Sequence, residues 1–256
     1  MEQLPALEWP PGIVLLAMSP PRLEASIVLG IVRSLGPASA KVLSHLRMAN
    51  KLATDLLGRF HERTIHPTRV RVLTDLVVNL ARSAVAPAIL DIGCGDGSLA
   101  RATAARLGAG EVRGVDVKVR QQTQIPVECY DGRTLPFPSD RFDLVILSDV
   151  LHHAAEPGQI LREAVRVLRP EGLVVVKDHF AFGPWSHLML LAMDLVGNAP
   201  RGVLVRGRYF SGPEWIALVA ASGGRATQLV WPLKVHQFPW HLLARNKYQF
   251  AMTLKR

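Results

Sequence analysis

Glycines at alternate positions follow a short apolar run in the first half of the chain and mark a ligand-binding turn. The run starts at Ala88, and Asp91 precedes Gly93, Gly95 and Gly97. Because glycine has no Cβ, it adopts positive φ readily and lets another molecule approach the main chain closely. The N–H groups that open a following helix point out of such a turn. The pattern therefore predicts a pocket for a nucleotide-type ligand.

The spacing of these glycines separates two kinds of nucleotide site. A dinucleotide-binding turn needs its third glycine three residues after the second, and Ser98 stands there. The spacing is instead Asp91-x-Gly93-x-Gly95-x-Gly97. Binding of a dinucleotide pyrophosphate is therefore the weaker interpretation.

The segments around this turn alternate between strand and helix patterns. Short apolar runs bounded by turn residues predict buried strands, whereas apolar residues at helical spacing predict helices. Such alternation predicts a parallel sheet with helices on both faces, closed by an antiparallel pair of strands. The expected strands are 88–92, 111–117, 126–130, 142–148, 173–177, 226–230 and 248–254. The expected helices are 40–60, 67–86, 98–107, 158–168, 185–196 and 212–222.

Polar residues stand at the carboxyl ends of the predicted strands, the edge at which open α/β sheets bind ligands. Asp116 ends the second strand, where a carboxylate can accept hydrogen bonds from both hydroxyls of a ribose, and Val117 would present an apolar face to an adenine. Asp131 and Gly132 follow the third strand, where a carboxylate can accept from the exocyclic amine of adenine. Alone these two residues would indicate a turn, but their place in the series favours binding.

Two downstream segments extend the pattern. Residues 142–153 read Phe-Asp-Leu-Val-Ile-Leu-Ser-Asp-Val-Leu-His-His, and residues 163–170 read Glu-Ala-Val-Arg-Val-Leu-Arg-Pro. Together with the glycine turn, they make residues 85–180 closely resemble the type 11 family of class I S-adenosylmethionine (SAM) dependent methyltransferases. That family includes quinone-biosynthesis C-methyltransferases and many small-molecule methylases. The sequence Pro-Glu-Gly at 170–172 stands where the family often has Pro-Gly-Gly, a difference expected to affect only a turn.

The resemblance implies a Rossmann-like α/β fold whose seven-stranded mixed sheet is mostly parallel, with an antiparallel last strand and helices on both faces. Residues 1–84 would form an N-terminal helical extension or cap and 85–256 the methyltransferase domain, with a substrate-side insertion at 185–212. SAM is the implied cofactor, with Ser148 and Asp149 near its methionine end. The cofactor-binding residues implied are Asp91, Gly93, Cys94, Gly95, Gly97, Asp116, Val117, Asp131, Gly132, Ser148 and Asp149.

The implied reaction is displacement at the methyl carbon of a sulfonium, so the protein must mainly align two partners and exclude water. A base is needed only if the nucleophile carries a proton. His152 and His153 are candidates and His179 is a third, since imidazole accepts protons near neutral pH. A structural role stays open for each, and their spacing predicts no metal site. A cluster of four basic residues nearer the start of the chain is expected to be solvated rather than catalytic. Its members are His61, His66, Arg69 and Arg71.

Composition limits the range of partners and locations. The formal charge of +9 would suit a nucleic acid, an anionic membrane surface or an acidic substrate, but the basic residues are scattered and predict a solvated surface. No stretch approaches the ~18 apolar residues of a membrane-spanning helix, and the start lacks a basic signal-peptide region. A cytoplasmic protein is expected, with peripheral membrane contact left open. Cys94 and Cys129 are too few for a disulfide framework.

The expected acceptor is a small molecule of lipophilic or aromatic character, bordered by the apolar segment 185–196 and by 201–210. Arginines and aromatics in the second segment also permit stacking on RNA bases, but no RNA-binding module is recognisable. Two alternatives stay open: a nucleic-acid methyltransferase and a non-catalytic SAM-binding or scaffold protein. The sequence leaves the oligomeric state undefined.

Overall fold

Seven strands form one sheet with helices on both faces in the computed structural model, which describes residues 66–81, 87–198, 207–235 and 246–256. The strands are β1 (Ala88–Ile92), β2 (Glu111–Asp116), β3 (Val127–Cys129), β4 (Phe142–Ser148), β5 (Leu168–His179), β6 (Arg225–Val230) and β7 (Gln249–Lys255). The helices are α1 (His66–Leu80), α2 (Ser98–Leu107), α3 (Pro157–Val167), α4 (Pro184–Asn198) and α5 (Gly212–Ala221), with short 3₁₀ turns at Leu151–His153 and Asn246–Tyr248. The helix predicted at 40–60 lies outside the described residues.

The strand order is β3-β2-β1-β4-β5-β7-β6. Strands β1 to β5 pair in parallel, whereas β7 pairs antiparallel with both β5 and β6. The predicted seven-stranded mixed sheet is therefore confirmed, including its antiparallel last strand. The connections leave β1 towards β2 and later return to β4 on its other side, so the order reverses between β1 and β4. In α/β sheets a ligand-binding crevice opens at this point.

Both faces of the sheet are covered because neighbouring residues of a strand point to opposite sides. Ile89 and Leu144 pack with Val77 of α1, whereas Leu90 and Val145 belong to the cluster that also contains Leu161 of α3. Sheets buried on both faces are built from near-continuous apolar runs. Strands β1 and β4 and residues 173–176 of β5 have this composition. In the described ranges, no helix has both the length and the apolar character needed to cross a membrane.

Most predicted boundaries hold to within two residues, and the exceptions are the end of α1, which lies at Leu80 rather than 86, and the ends of β5. The prediction placed a break at 169–172 and a strand only at 173–177, but β5 is a 12-residue strand from Leu168. Phe142 pairs with Leu168 and Leu144 with Leu173, so β5 carries extra residues between two points of pairing. The residues at 169–172 therefore form a bulge within the strand, a position that accommodates Pro170.

Candidate cofactor and acceptor site

The glycine turn that joins β1 to α2 has a backbone conformation that favours glycine. Gly93, Gly95 and Gly97 have φ angles of 67°, 61° and 78°, in the left-handed region where a Cβ is unfavourable. Gly93 also lies against the loop that follows β4, since a Cβ there would stand 2.5 Å from Cγ2 of Val150. Both the shape of the turn and its close packing therefore require glycine.

Asp116 ends β2 beside this turn. Its Oδ2 accepts a hydrogen bond from the backbone N–H of Gly95 at 2.9 Å, and its Oδ1 accepts one from the N–H of Lys118 at 3.1 Å. A carboxylate oxygen has two lone pairs, so both oxygens retain capacity for a ribose hydroxyl. The next residue, Val117, is 61% exposed and offers an apolar surface at the predicted adenine position.

Asp131 and Gly132 lie beside Val117. A Cβ on Gly132, whose φ is 77°, would come within 3.3 Å of Cγ1 of Val117. Asp131 Oδ1 accepts hydrogen bonds from the N–H groups of Arg133 and Thr134, both at 2.8 Å. Asp131 thus also forms the turn that its own sequence indicates. The fold brings together the three residues predicted to surround an adenine.

Asp91 is buried and Cys94 is partly buried. Asp91 is 2% exposed, and burial together with repulsion from Asp116 and Asp96 raises its pKa to about 8. The sulfur of Cys94 packs over Gly114 of β2, where a Cβ would lie 2.6 Å from Sγ. Burial, and secondarily the neighbouring Asp91, raises the pKa of the Cys94 thiol. The Asp91 carboxyl is therefore protonated at neutral pH, and Cys94 acts as a packing residue.

A carboxylate held between two cations follows β4. Asp149 has a φ of 58°, which is uncommon for a residue other than glycine, and its backbone N–H donates to the carbonyl of Lys177 at 2.8 Å. The Lys177 ammonium donates to Asp149 Oδ1 at 2.5 Å, and the Arg69 guanidinium donates to Oδ2. Burial acts to raise the pKa of Asp149, but Lys177 and then Arg69 hold it well below its usual range. Asp149 is therefore ionised.

The expectation that Arg69 is solvated is wrong. Its side chain is 28% exposed and forms an ion pair with Asp149, 80 residues further along the chain. Arg71 is exposed, as expected, and His61 lies outside the described residues. Helix periodicity indicates that Arg69 is less exposed than Arg71, because Arg69 lies one turn before Leu73 on the buried face of α1.

His152 and Asp178 form a buried pair at the ends of β4 and β5. His152 Nδ1 lies 2.6 Å from Asp178 Oδ1, and both side chains are 1% exposed. The backbone N–H of His179 donates to the same oxygen at 2.8 Å. Burial acts to raise the pKa of Asp178, but His152 holds it below its usual range, so the carboxylate is ionised. Nδ1 of His152 is then the proton donor, and Nε2 is its basic nitrogen.

The other predicted histidines surround this pair. The ring centroid of His153 lies 4.0 Å from that of His152, and the ring of His179 meets His152 edge-on at 5.0 Å. Burial, and secondarily the Lys177 ammonium, lowers the pKa of His179, which is therefore neutral at neutral pH. The ring of Tyr209, which is 3% exposed, stacks on His152 at 5.4 Å.

The prediction gave no role to Lys177 or Asp178. A signal was present for both, since charged residues are rare within apolar strands unless they are paired. Tyr209 falls in the segment 201–210 that was predicted to border the acceptor, of which residues 201–206 lie outside the described residues.

Four metal-ligand side chains also meet here, which the spacing along the chain did not indicate. One ligand atom from each of Asp149, His152, Asp178 and His179 lies within 4.8 Å of the others. Arg69 and Lys177 place two positive charges beside these carboxylates. Ser148 Oγ is buried nearby in sequence and has no hydrogen-bond partner among the described residues.

Comparison with known proteins identifies the family of the segment that contains most of these residues. A family described as "Methyltransferase domain" matches residues 90–176, the segment that carries the glycine turn, Asp116 and Asp149. This segment is a class I SAM-dependent methyltransferase domain. SAM is accordingly the cofactor of such a domain.

Curated relatives and a solved structure resemble the methyltransferase domain. The 27-O-demethylrifamycin SV methyltransferase of Amycolatopsis mediterranei is 30% identical over 41% of this chain and 43% of its own length. The ubiquinone/menaquinone biosynthesis C-methyltransferase UbiE of Laribacter hongkongensis is 35% identical over 35% and 42%. The chain thus spans less than half the length of either relative. The 1,6-didemethyltoxoflavin-N1-methyltransferase of Burkholderia thailandensis has a TM-score of 0.51 and 19% identity over 82% of this chain and 89% of its own.

Proposed function

We propose that this protein transfers a methyl group from SAM to a small-molecule acceptor of lipophilic or aromatic character. The observation that carries the proposal is the convergence of the glycine turn, Asp116 and Asp149 at the reversal point of the sheet. Ligands bind at this point in α/β sheets. The relatives named above include methyltransferases of rifamycin, quinone and toxoflavin precursors, which supports a small-molecule acceptor.

The residues fit the proposed cofactor. The glycine turn leaves main chain that a Cβ would fill, and Asp116 keeps lone pairs for two hydroxyls. Val117 supplies an apolar surface next to Asp131, at the proposed adenine position. The buried Ser148 hydroxyl provides a polar group for the proposed methionine end of the cofactor. When bound there, SAM would supply a methyl group on a positively charged sulfur that is already a good leaving group.

The chain's own residues would then align the acceptor and take up its proton where one must leave. His152 is the base we propose, because Asp178 fixes its ring and sets Nε2 as the basic nitrogen. Its place after β4 faces the methyl position by analogy with the fold. His179 and His153 adjoin it and would help exclude water, since proton transfer and alignment both weaken in a wet site.

Exposed apolar side chains near the end of β5 in the sequence support a lipophilic or aromatic acceptor. Phe182 and Trp231 are about half exposed, with ring centroids 6.0 Å apart, and Trp185 at the start of α4 is 80% exposed. Phe182 follows the end of β5 by three residues. Exposed aromatic groups of this kind often mark binding surfaces.

Thermal unfolding with and without S-adenosylhomocysteine tests the cofactor site. A ligand at 100 times its dissociation constant should add ~2.7 kcal/mol of stability, which corresponds to a rise of several degrees for a chain of this size. Asp116→Ala should abolish the rise, while Glu128→Ala, which removes an exposed carboxylate from β3, should keep it. No rise in the wild-type protein would contradict the proposal.

Methyl transfer itself is tested with SAM labelled in the methyl group and a panel of quinols, phenols and polyketides. His152→Ala should bind cofactor normally yet lose turnover. Tight cofactor binding with no labelled product from any acceptor would favour the non-catalytic alternative. If nucleic acid takes up the labelled methyl group, and if that transfer falls steeply as the salt concentration rises, the nucleic-acid alternative is favoured.

A further inference from the structure

Large apolar side chains are exposed at the start of α4 and beside it. Trp185, Leu188 and Met189 are spaced so that they share one side of the helix, where they are 80%, 58% and 36% exposed. Phe182 and Trp231 are each about half exposed, and their ring centroids lie 6.0 Å apart. We call these five side chains the aromatic face. Exposed apolar side chains that lie together on a folded protein mark a contact with another molecule or with a membrane.

A buried serine joins the two parts of the aromatic face. The backbone N–H of Phe182 donates to Ser186 Oγ at 2.6 Å, and this hydroxyl donates to the carbonyl of Gly183. Ser186 and Leu190 are each 1% exposed. Helix α4 therefore buries one of its sides and presents a second, apolar side to solvent.

The charge beside the aromatic face is positive. Trp231 Nε1 donates to the carbonyl of the exposed Lys247 at 2.8 Å. The Lys247 ammonium lies 5.2 Å from the ring centroid of Tyr248, which is 6.1 Å from that of Phe182. The segments that form and flank the face contain two lysines and no aspartate or glutamate: 180–189, 231–235 and 246–248. The face therefore suits an anionic partner, and the formal charge of +9 on the whole chain acts in the same direction.

A second copy of this chain suits the aromatic face less well than a membrane does. A two-fold dimer would bring the same patch of both copies together. Lys247 would then meet like charge, and these segments supply no carboxylate to balance it. An anionic bilayer surface fits both features at once, because tryptophan rings enter the interface between lipid and water while lysines bind the anionic headgroups.

We propose that the aromatic face docks on an anionic membrane surface. The inference rests on the proposed function, because a lipophilic acceptor is concentrated in a bilayer. The face also lies close to the proposed base. His187, between Trp185 and Leu188 on α4, has its ring centroid 6.1 Å from that of Tyr209, and Tyr209 stacks on His152. Docking would therefore bring the proposed base towards the source of the acceptor.

Co-sedimentation of the full chain with lipid vesicles tests the docking without cofactor or acceptor. The probes are vesicles of phosphatidylcholine alone and of an equal mixture with phosphatidylglycerol. The wild-type protein should bind the mixed vesicles at least tenfold more tightly than the neutral ones. A variant with both Phe182→Ser and Trp185→Ser should lose at least tenfold of this affinity. Val119→Ser removes an exposed apolar side chain next to β2, towards the other edge of the sheet, and should change it less than twofold.

A pair of lysines at opposite ends of β7 tests the role of charge. Lys247 precedes the strand by two residues, and Lys255 ends it. Lys247→Gln should weaken binding to the mixed vesicles and leave binding to the neutral ones unchanged. Lys255→Gln should change neither.

Each other outcome overturns the inference in a recognisable way. Equal binding by all variants would mean that the general positive charge attracts the vesicles, and equal binding to both vesicles would exclude an anionic partner. No vesicle binding, with a dimer in solution that the double variant abolishes, would assign the face to a second copy.

The wild-type protein decides the question if the double variant fails to fold. Brominated phosphatidylcholine in the mixed vesicles quenches tryptophans that enter the bilayer, so the exposed Trp185 and Trp231 should lose fluorescence on binding. Unchanged fluorescence would overturn the inference. A protein that binds vesicles through this face but shows no thermal shift with S-adenosylhomocysteine would instead refute the proposed function.

Discussion

Asp91 lies one residue before the end of β1, and Asp116 ends the adjacent parallel strand β2. Burial of Asp91 together with repulsion from Asp116 raises the Asp91 pKa to about 8. An unfolded chain would release this proton near pH 4, at the ordinary pKa of an aspartate. Between about pH 4 and about pH 8 the native state therefore holds a proton that the unfolded state has lost. The free energy of unfolding should fall as pH rises through this window, by up to about 1.4 kcal/mol per pH unit from this group.

Urea unfolding of the wild-type protein and Asp91→Asn across this range isolates the effect, since the two proteins share all other titrating groups. The Asn variant should gain stability relative to the wild type as pH rises. Parallel pH curves for the two proteins would show that Asp91 is ionised in the native state.

Gly97 and Gly108 provide a matched pair for the glycine turn. Both have left-handed backbones, with φ angles of 78° and 62°, so alanine at either position costs about 1–2 kcal/mol in backbone strain. A Cβ at Gly97 would also lie 2.4 Å from Cγ1 of buried Ile125, whereas nothing lies within 4 Å at Gly108. Gly97→Ala should therefore cost about 1–3 kcal/mol more than Gly108→Ala in urea unfolding. Equal losses would show that Ile125 moves aside freely.

The sequence allowed prediction of the sheet and its ligand edge because both depend on local signals. Apolar runs located the strands, and the glycine spacing with Asp116 located the cofactor turn. The bulge in β5 was missed because pairing between Phe142 and Leu168 is a long-range event. The partners of Arg69 and His152 lie 80 and 26 residues away, so no spacing along the chain could pair them. The assignments of individual cofactor and catalytic residues, the domain limits and the cytoplasmic location stay predictions.

Cys94 and Cys129 should differ sharply in reactivity. Burial raises the pKa of the Cys94 thiol, whose sulfur packs against Gly114, whereas Cys129 is exposed on β3. The thiolate is the reactive form, so iodoacetamide at neutral pH should label Cys129 in the native protein and spare Cys94 until urea is added. Peptide mass spectrometry gives the labelled positions. Native Cys129→Ser should take up no label, and rapid labelling of that variant would contradict the packing described for Cys94.

Glu163 secures the loop that carries Asp131. The side chain is 8% exposed and accepts hydrogen bonds from the backbone N–H of Leu135 at 2.8 Å and from Arg166. Glu163→Ala would leave the N–H of Leu135 without its partner, at a cost of about 1–3 kcal/mol. Glu163→Gln keeps an acceptor and should cost less.

Thermal unfolding should rank these variants, with the exposed Glu171→Ala as the control that changes little. Glu163→Ala should also weaken S-adenosylhomocysteine binding, because the loop carries the predicted adenine contact. If Glu163→Ala unfolds at a lower temperature than the wild type yet binds S-adenosylhomocysteine with wild-type affinity, the loop does not contribute to cofactor binding.

The position of β7 between β5 and β6 affects how the chain can fold during synthesis. Strand β6 leaves the ribosome before β7, although β7 is the strand with which it pairs in the sheet. Until β7 arrives, the outer edge of β5 presents unpaired backbone groups, a template on which other chains can add strands. The nascent protein therefore passes through a stage in which a strand from the middle of the sheet has an open edge. A chaperone that binds this open edge should raise the yield of native protein, whereas slow translation after β6 should lower it because the edge stays open for longer.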